Sequence, residues 1–256
     1  MNIIAANNWK RPIYFTNPFG ELGFGQYLRK DGLAYRLIPV PPKYPQLKWV
    51  ADSTFRKLGS RTQVGDMNDS AIYKNLITSY QFGGANKKGV YYDEENRRHL
   101  LDMREIFAEA AGNLADEGEI DKAQKLLDKA EAGISTDNLP YAMVSRYGTH
   151  DLNGLIYLEA CYKAGKKDLA EKVRIAIRKD LEDQKRYYAY MRDDNPELYS
   201  STMSGEDQNN NAFLIVLDAV ESRYAPQTQP KPQVEGNPST IINSPKDSVP
   251  KPDTPK

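Results

Sequence analysis

His150 and Asp151 stand side by side, the pairing that proton-relay chemistry uses. Adjacent residues rarely face one another, however, and no Ser or Cys nucleophile motif accompanies them. Asp151 reads more simply as a helix N-cap. The only other histidine, His99, falls on the polar side of a helix beside Arg97 and Arg98. Two distant histidines and one cysteine make a weak zinc set. That cysteine, Cys161, reads as a small core residue. Asp66-Met67-Asn68-Asp69 has the oxygen-rich look of part of a calcium loop. It lacks the loop's glycine and terminal glutamate, so it reads as a turn leading into a helix. The close glycines of Gly20-Glu21-Leu22-Gly23-Phe24-Gly25 do not match a dinucleotide fingerprint. Glu94, Glu95, Glu117 and Glu119 read as a solvated helix surface. A paired-carboxylate glycosidase site among them depends on a separation that only three dimensions fix. The residues therefore nominate no catalytic group, no metal and no cofactor.

Two aromatic clusters are better surface candidates. Asn8, Trp9, Arg11, Tyr14, Tyr35 and Arg36 fall at the ends of two predicted strands, and Pro12 fixes the entry into the first. They could meet a ligand or a neighbouring domain. Tyr187, Tyr188 and Tyr190 form the densest aromatic run. Consecutive aromatics cannot all face one core, so one or two should be exposed. The choice there is between a stacking surface for peptide or sugar and packing against the last helix and the loops.

Composition narrows the class. Lys+Arg and Asp+Glu are equal at 35 each in 256 residues. That balance argues against a general nucleic-acid or anionic-membrane binder, while leaving room for local patches. The longest apolar stretch, Ala212 to Val220, is interrupted by Asp218. It falls well short of the roughly 20 residues of a membrane span.

Four parts can be read along the chain. Residues 1–50 read as a small α/β unit: the end of a helix running into a buried strand at Ile13-Tyr14-Phe15, a short helix over Leu22 to Lys30, and a second strand over Ala34 to Val40. That order predicts a parallel βαβ crossover, with a hairpin carrying a helical insertion as the alternative. An opening of this kind predicts a C-terminal piece of something longer, because a helix needs several turns and a partner face. Residues 51–93 read as a mixed connector with one helix over Ala71 to Gln81, capped by Ser70 and stopped by Gly83-Gly84. Residues 94–224 carry helical stripes: Leu100, Met103, Phe107, Ala110 and Leu114; then Ile120, Ala123, Leu127 and Ala130; then Leu152, Leu155, Leu158 and Tyr162; then Leu169, Val173 and Ala176; and finally Phe213, Val216, Leu217, Val220 and Tyr224. Residues 225–256, rich in Pro, Ser, Thr, Lys and Asn, predict a disordered tail.

The two central hairpins repeat. Gly118, Ala123, Leu127 and Ala130 match Gly165, Ala170, Arg174 and Ile177 at an offset of 47 residues. Glycine permits the tight turn, and alanine permits close helix approach. The pattern is tetratricopeptide-like, although that repeat is about 34 residues long. The excess falls in Gly133 to Thr149, and Arg174 departs from the large apolar residue expected there. Two units need caps; the helices near 70–81 and 210–224 are the candidates. The expected fold is mainly α: tetratricopeptide-like hairpins preceded by the small α/β unit.

Certain strings resemble a known family. They are Asn8-Trp9-Lys10-Arg11-Pro12-Ile13-Tyr14-Phe15, Asp31-Gly32-Leu33-Ala34-Tyr35-Arg36-Leu37, Tyr73-Lys74-Asn75-Leu76 and Val90-Tyr91-Tyr92-Asp93-Glu94-Glu95-Asn96-Arg97-Arg98. The family comprises large multi-spanning membrane proteins common in Bacteroidetes, catalogued as a domain of unknown function (DUF2723) and similar to GT-C protein O-mannosyltransferases. The resemblance covers roughly residues 1–190. It implies a soluble, extracytoplasmic (periplasmic) region that follows a bundle of membrane spans. It also implies two partners: the membrane-spanning domain of the same protein and an acceptor polypeptide. No catalytic residue carries over, because the family's acidic residue lies between early spans. The expected function is thus an accessory or binding region of a glycosyltransferase-like membrane protein, not catalytic by itself. A free-standing protein-interaction scaffold is the alternative.

Overall fold

A computed structural model describes residues 2–16, 23–24, 27–39, 65–67 and 69–224. Met1–Tyr224 forms one compact unit. The second unit, Ala225–Lys256, lies outside the described residues, and with it the expected disordered tail. The protein is mainly helical, with a small sheet near the N-terminus.

The chain opens with a short helix α1 (Asn2–Asn7), then β1 (Tyr14–Phe15), β2 (Leu28–Lys30) and β3 (Tyr35–Leu37). The sheet order is β1-β3-β2-β4, where β4 is Gly65–Met67. β1 and β2 both pair antiparallel with β3, and β4 joins β2 in parallel. This corrects two expectations. Residues Leu28–Lys30, expected to be helical, are a strand, while positions 22, 25 and 26 of the expected helix lie outside the described residues; the two predicted strands, β1 and β3, pair antiparallel, as in the hairpin alternative, and not as a parallel βαβ crossover. The reason lies in the turn. The Asp31 amide donates to the Ala34 carbonyl at 2.9 Å, which reverses the chain within four residues. Gly32 sits there at φ +107°, and a Cβ on it would meet the Tyr80 hydroxyl at 2.5 Å. The same hydroxyl accepts from the Leu33 amide at 3.0 Å. A long-range clamp therefore overrides the helix propensity of the local sequence. The expected buried first strand is also corrected, since Tyr14 is exposed.

The helical part follows. α2 (Asp69–Thr78) begins before Ser70, so Ser70 lies inside the helix. α3 (Glu94–Asp116) is capped by the Asp93 carboxylate, which accepts from the Asn96 amide at 2.8 Å. α4 (Ile120–Gly133) completes the first hairpin. α5 (Thr149–Lys163) and α6 (Lys167–Asp194) form the second. α7 (Ser204–Tyr224) closes the order after a short helical turn, Pro196–Leu198, and a π-helical turn, Tyr199–Met203. α3 packs on α4 and α5, α2 packs on α3 and α4, and α7 packs on α5 and α6. One core runs through all of them, from Ile72 and Leu76 on α2 to Val216, Leu217 and Val220 on α7.

The 47-residue repeat is visible in hydrogen bonds. Gly118 N–H donates to Ala115 O and Glu119 N–H to Leu114 O. Gly165 N–H donates to Tyr162 O and Lys166 N–H to Cys161 O, the same pair one repeat later. Both glycines are left-handed, at φ +84° and +71°. Ala123 and Ala170 are fully buried at the close approaches. Leu127 is in the core, whereas Arg174 reaches across to Glu221 on α7 at 3.1 Å. The departure at Arg174 thus joins the second hairpin to the helix that follows it.

Candidate functional site

The sheet divides the first aromatic cluster. Tyr14 pairs with Arg36, and Arg36 with Arg29, so these three share one face. Phe15 pairs with Tyr35, and Tyr35 with Lys30, on the opposite face. The second face is turned to the helices. The Lys30 ammonium donates to the Glu109 carboxylate of α3, and both side chains are largely buried. Burial opposes the Lys30 charge, and Glu109 and Glu105 overcome it, so its pKa is raised. Tyr35 therefore separates from Tyr14 and Arg36, although sequence reasoning grouped all three.

Asn8, Trp9 and Arg11 lie in the loop between α1 and β1. Asn7 clips that loop shut. Its side-chain nitrogen donates to Arg11 O at 2.6 Å, and its side-chain oxygen accepts from Arg11 N at 3.2 Å. Asn8 and Trp9 take left-handed backbone, at φ 42° and 58°. That region is uncommon for a bulky residue. Trp9 is 47 % exposed, so burial of the indole does not offset the strain fully. Arg29 on the same sheet is held by Asp31, at 2.9 and 3.2 Å.

The second cluster lies on α6. Tyr188 is buried, while Tyr187 and Tyr190 are exposed one helical turn apart. The Tyr188 hydroxyl is 3.5 Å from Glu206 on α7, and its phenol is pushed up to about 12 by burial and by Glu206. A turn further on, Arg192 donates to Asp207 at 2.6 Å, and Tyr199 donates to the same carboxylate at 2.6 Å. This clamp fixes the α6–α7 connection beside the tyrosines.

A buried polar network, which the sequence did not point to, holds the long connector between the hairpins. Arg104 donates to Leu139 O at 2.6 Å and to Pro140 O at 2.7 Å. Its guanidinium lies 5.3 Å from the Tyr141 ring and 5.9 Å from that of Tyr157. Both phenols donate to Glu131, at 2.6 and 2.7 Å. His150 meets Pro140 O at 2.7 Å. Asp151 lies in the first turn of α5, not at its N-cap, which is Gly148. Its carboxylate accepts from Met143 N at 3.2 Å and from Gln184 at 2.9 Å. His150 and Asp151 thus serve separate partners and are not a relay pair. The only trace of this network in the sequence is the length of Gly133 to Thr149, which must be tied down by something.

The remaining motifs are quickly placed. His99 is exposed and lies 3.5 Å from Glu95. Cys161 is fully buried. Glu94, Glu95, Glu117 and Glu119 are exposed. Among the described residues, no three His, Cys, Asp or Glu side chains gather as a metal site would require. No helix among them is long and apolar enough to cross a membrane.

Comparison with known proteins bears on the N-terminal segment. The family model for TMEM260-associated domain 2 matches residues 1–53. No curated protein and no solved structure matches the chain. The sheet strands β1, β2 and β3, and the Asn7–Arg11 loop, fall within the matched segment.

Proposed function

We propose that this chain is an accessory, binding region of a glycosyltransferase-like membrane protein, of the protein O-mannosyltransferase-like kind, and that it does not catalyse transfer by itself. The observation that carries the reading is the match of residues 1–53 to a domain described as associated with TMEM260. That segment presents Trp9, Arg11 and Tyr14 outward while Lys30 anchors it to the helices. Its task is to hold the helical array beside a membrane-spanning domain on the extracytoplasmic side. The array then offers a surface to an acceptor polypeptide, with Tyr187 and Tyr190 as exposed contacts.

The test is the DNA upstream of the Met1 codon. An open frame encoding several apolar spans of about 20 residues supports the reading. An in-frame stop with a ribosome-binding site just before Met1 overturns it. A free-standing interaction scaffold is the second reading, favoured by the two stacked hairpins with a helix packed at each end. Trp9→Ala with Arg11→Ala in the longer protein separates two roles for the loop. Lost transfer with intact assembly marks a ligand contact, and lost assembly marks a domain contact.

A further inference from the structure

We infer that the Asn7–Arg11 loop, with the outer sheet face beside it, docks on an anionic lipid bilayer. The inference goes beyond the function proposed above and stands without it.

A tryptophan held at φ 58° is costly, and a strained conformation persists only where its surroundings impose it. Here the two Asn7 side-chain bonds and the Lys10 N to Asn7 O bond at 2.9 Å impose it. The outcome is a closed loop that presents Trp9, Lys10 and Arg11, all exposed. Strain sustained to display an indole beside two cations suggests that the display has a use.

Of the described cations in residues 1–53, Arg29 is held by Asp31 and Lys30 by Glu109, which leaves Lys10, Arg11 and Arg36. Among the described residues, no carboxylate pairs with Lys10, Arg11 or Arg36. Arg36 shares its face with Tyr14, which is half exposed, and Ile3 on α1 is exposed as well. Tryptophan and tyrosine favour the headgroup level of a bilayer, where an apolar body and a polar edge are both accommodated. Each Lys or Arg near an anionic leaflet strengthens binding further.

An extended peptide would add to a sheet edge, but the edge strands β1 and β4 are only two and three residues long. An exposed loop with an indole between polar neighbours fits a laterally extended boundary better than it fits a groove-bound chain. Anionic phospholipid supplies that boundary together with the negative charge.

The test is flotation of the full chain with two kinds of vesicle: phosphatidylcholine alone, or phosphatidylcholine with phosphatidylglycerol. A Trp49→Phe background makes Trp9 the only tryptophan, since the chain has two. Binding to the anionic vesicles alone, its release by high salt, and a blue shift of Trp9 emission are expected. Lys10→Ala with Arg11→Ala should weaken the binding on the order of tenfold or more. Trp9→Gly keeps the fold measurable, because glycine relieves the left-handed strain. It should raise Tm or leave it unchanged while vesicle binding falls. Equal behaviour towards both vesicles, unchanged Trp9 emission on floated protein, or full binding by Trp9→Gly overturns the inference. None of these outcomes alters the upstream reading frame, so the two ideas fail separately.

Discussion

The Lys30 ammonium on β2 meets the Glu109 carboxylate on α3, and this contact ties the N-terminal sheet to the helical array. Glu105, on the same helix, adds to the field that keeps Lys30 charged. Replacing Lys30 takes from the largely buried Glu109 carboxylate the ammonium it accepts from. Lys30→Met should therefore cost about 3–5 kcal/mol. Urea denaturation checks this, and Lys30→Met combined with Glu109→Leu should recover much of the loss. A double variant whose cost equals the sum of the Lys30→Met and Glu109→Leu costs would show that the pair contributes no specific coupling.

Glu131 receives two phenol hydroxyls, from Tyr141 and Tyr157. Tyr157→Phe leaves the ring and removes one charge-assisted bond, which should cost about 1.5–3 kcal/mol. Exposed Tyr190→Phe should change stability by less than about 0.5 kcal/mol. Thermal unfolding of both variants gives the comparison, and similar shifts in the two would sink the network's structural role.

Asp151 gives a pH dependence with a definite sign. Burial is the main cause that pushes its carboxyl up, to about 7; Asp180 adds to the push, while Gln184 and the Met143 amide oppose it. An unfolded aspartate titrates near 3.9, roughly. The folded chain therefore keeps a proton that the unfolded chain releases. This stabilising contribution is full below about 4 and is lost as pH rises through about 7. His150 works in the other direction: burial lowers its pKa, so its contribution is lost as pH falls. Asp151→Asn should flatten the decline in stability between about pH 4 and about pH 7, the window set by the unfolded and folded values of this carboxyl. The same slope in variant and parent would refute this assignment.

Two helical glycines should respond in opposite senses. Gly205 has no atom within 4 Å of where a Cβ would sit, so Gly205→Ala should stabilise by about 0.5–1 kcal/mol. At Gly133 a Cβ would meet the Phe82 ring at 2.0 Å. Gly133→Ala should lower Tm despite alanine's better helix propensity. Paired melting curves decide the matter, and a rise for both would mean that Phe82 yields easily.

Much of the helical part was legible in the sequence because its core stripes are local and periodic. Leu100, Phe107, Ala110 and Leu114 are all buried, and so are Phe213, Val216, Leu217 and Val220. The candidate surface residues were legible in kind but not in arrangement. Tyr35 and Tyr14 are close in the predicted strands, yet they point to opposite faces, because facing depends on which residues pair across the sheet. The conformation of Trp9 was not legible at all. No composition rule places an aromatic residue in left-handed backbone, and Asn7 achieves it by closing the loop on Arg11.

The sequence by itself determined the helix stripes, the turns at Gly118 and Gly165 and the spacing of the two hairpins. Each depends on residues a few positions apart, where periodicity and backbone freedom act directly. Only the tertiary structure decided that Leu28–Lys30 is a strand, that Asp151 is a buried acceptor and not a cap, and that the sheet is anchored through Lys30. Those outcomes depend on Tyr80, Gln184 and Glu109, which lie 33 to 79 positions from the groups they contact. At such separations, contacts made on folding outweigh the preferences of the local sequence.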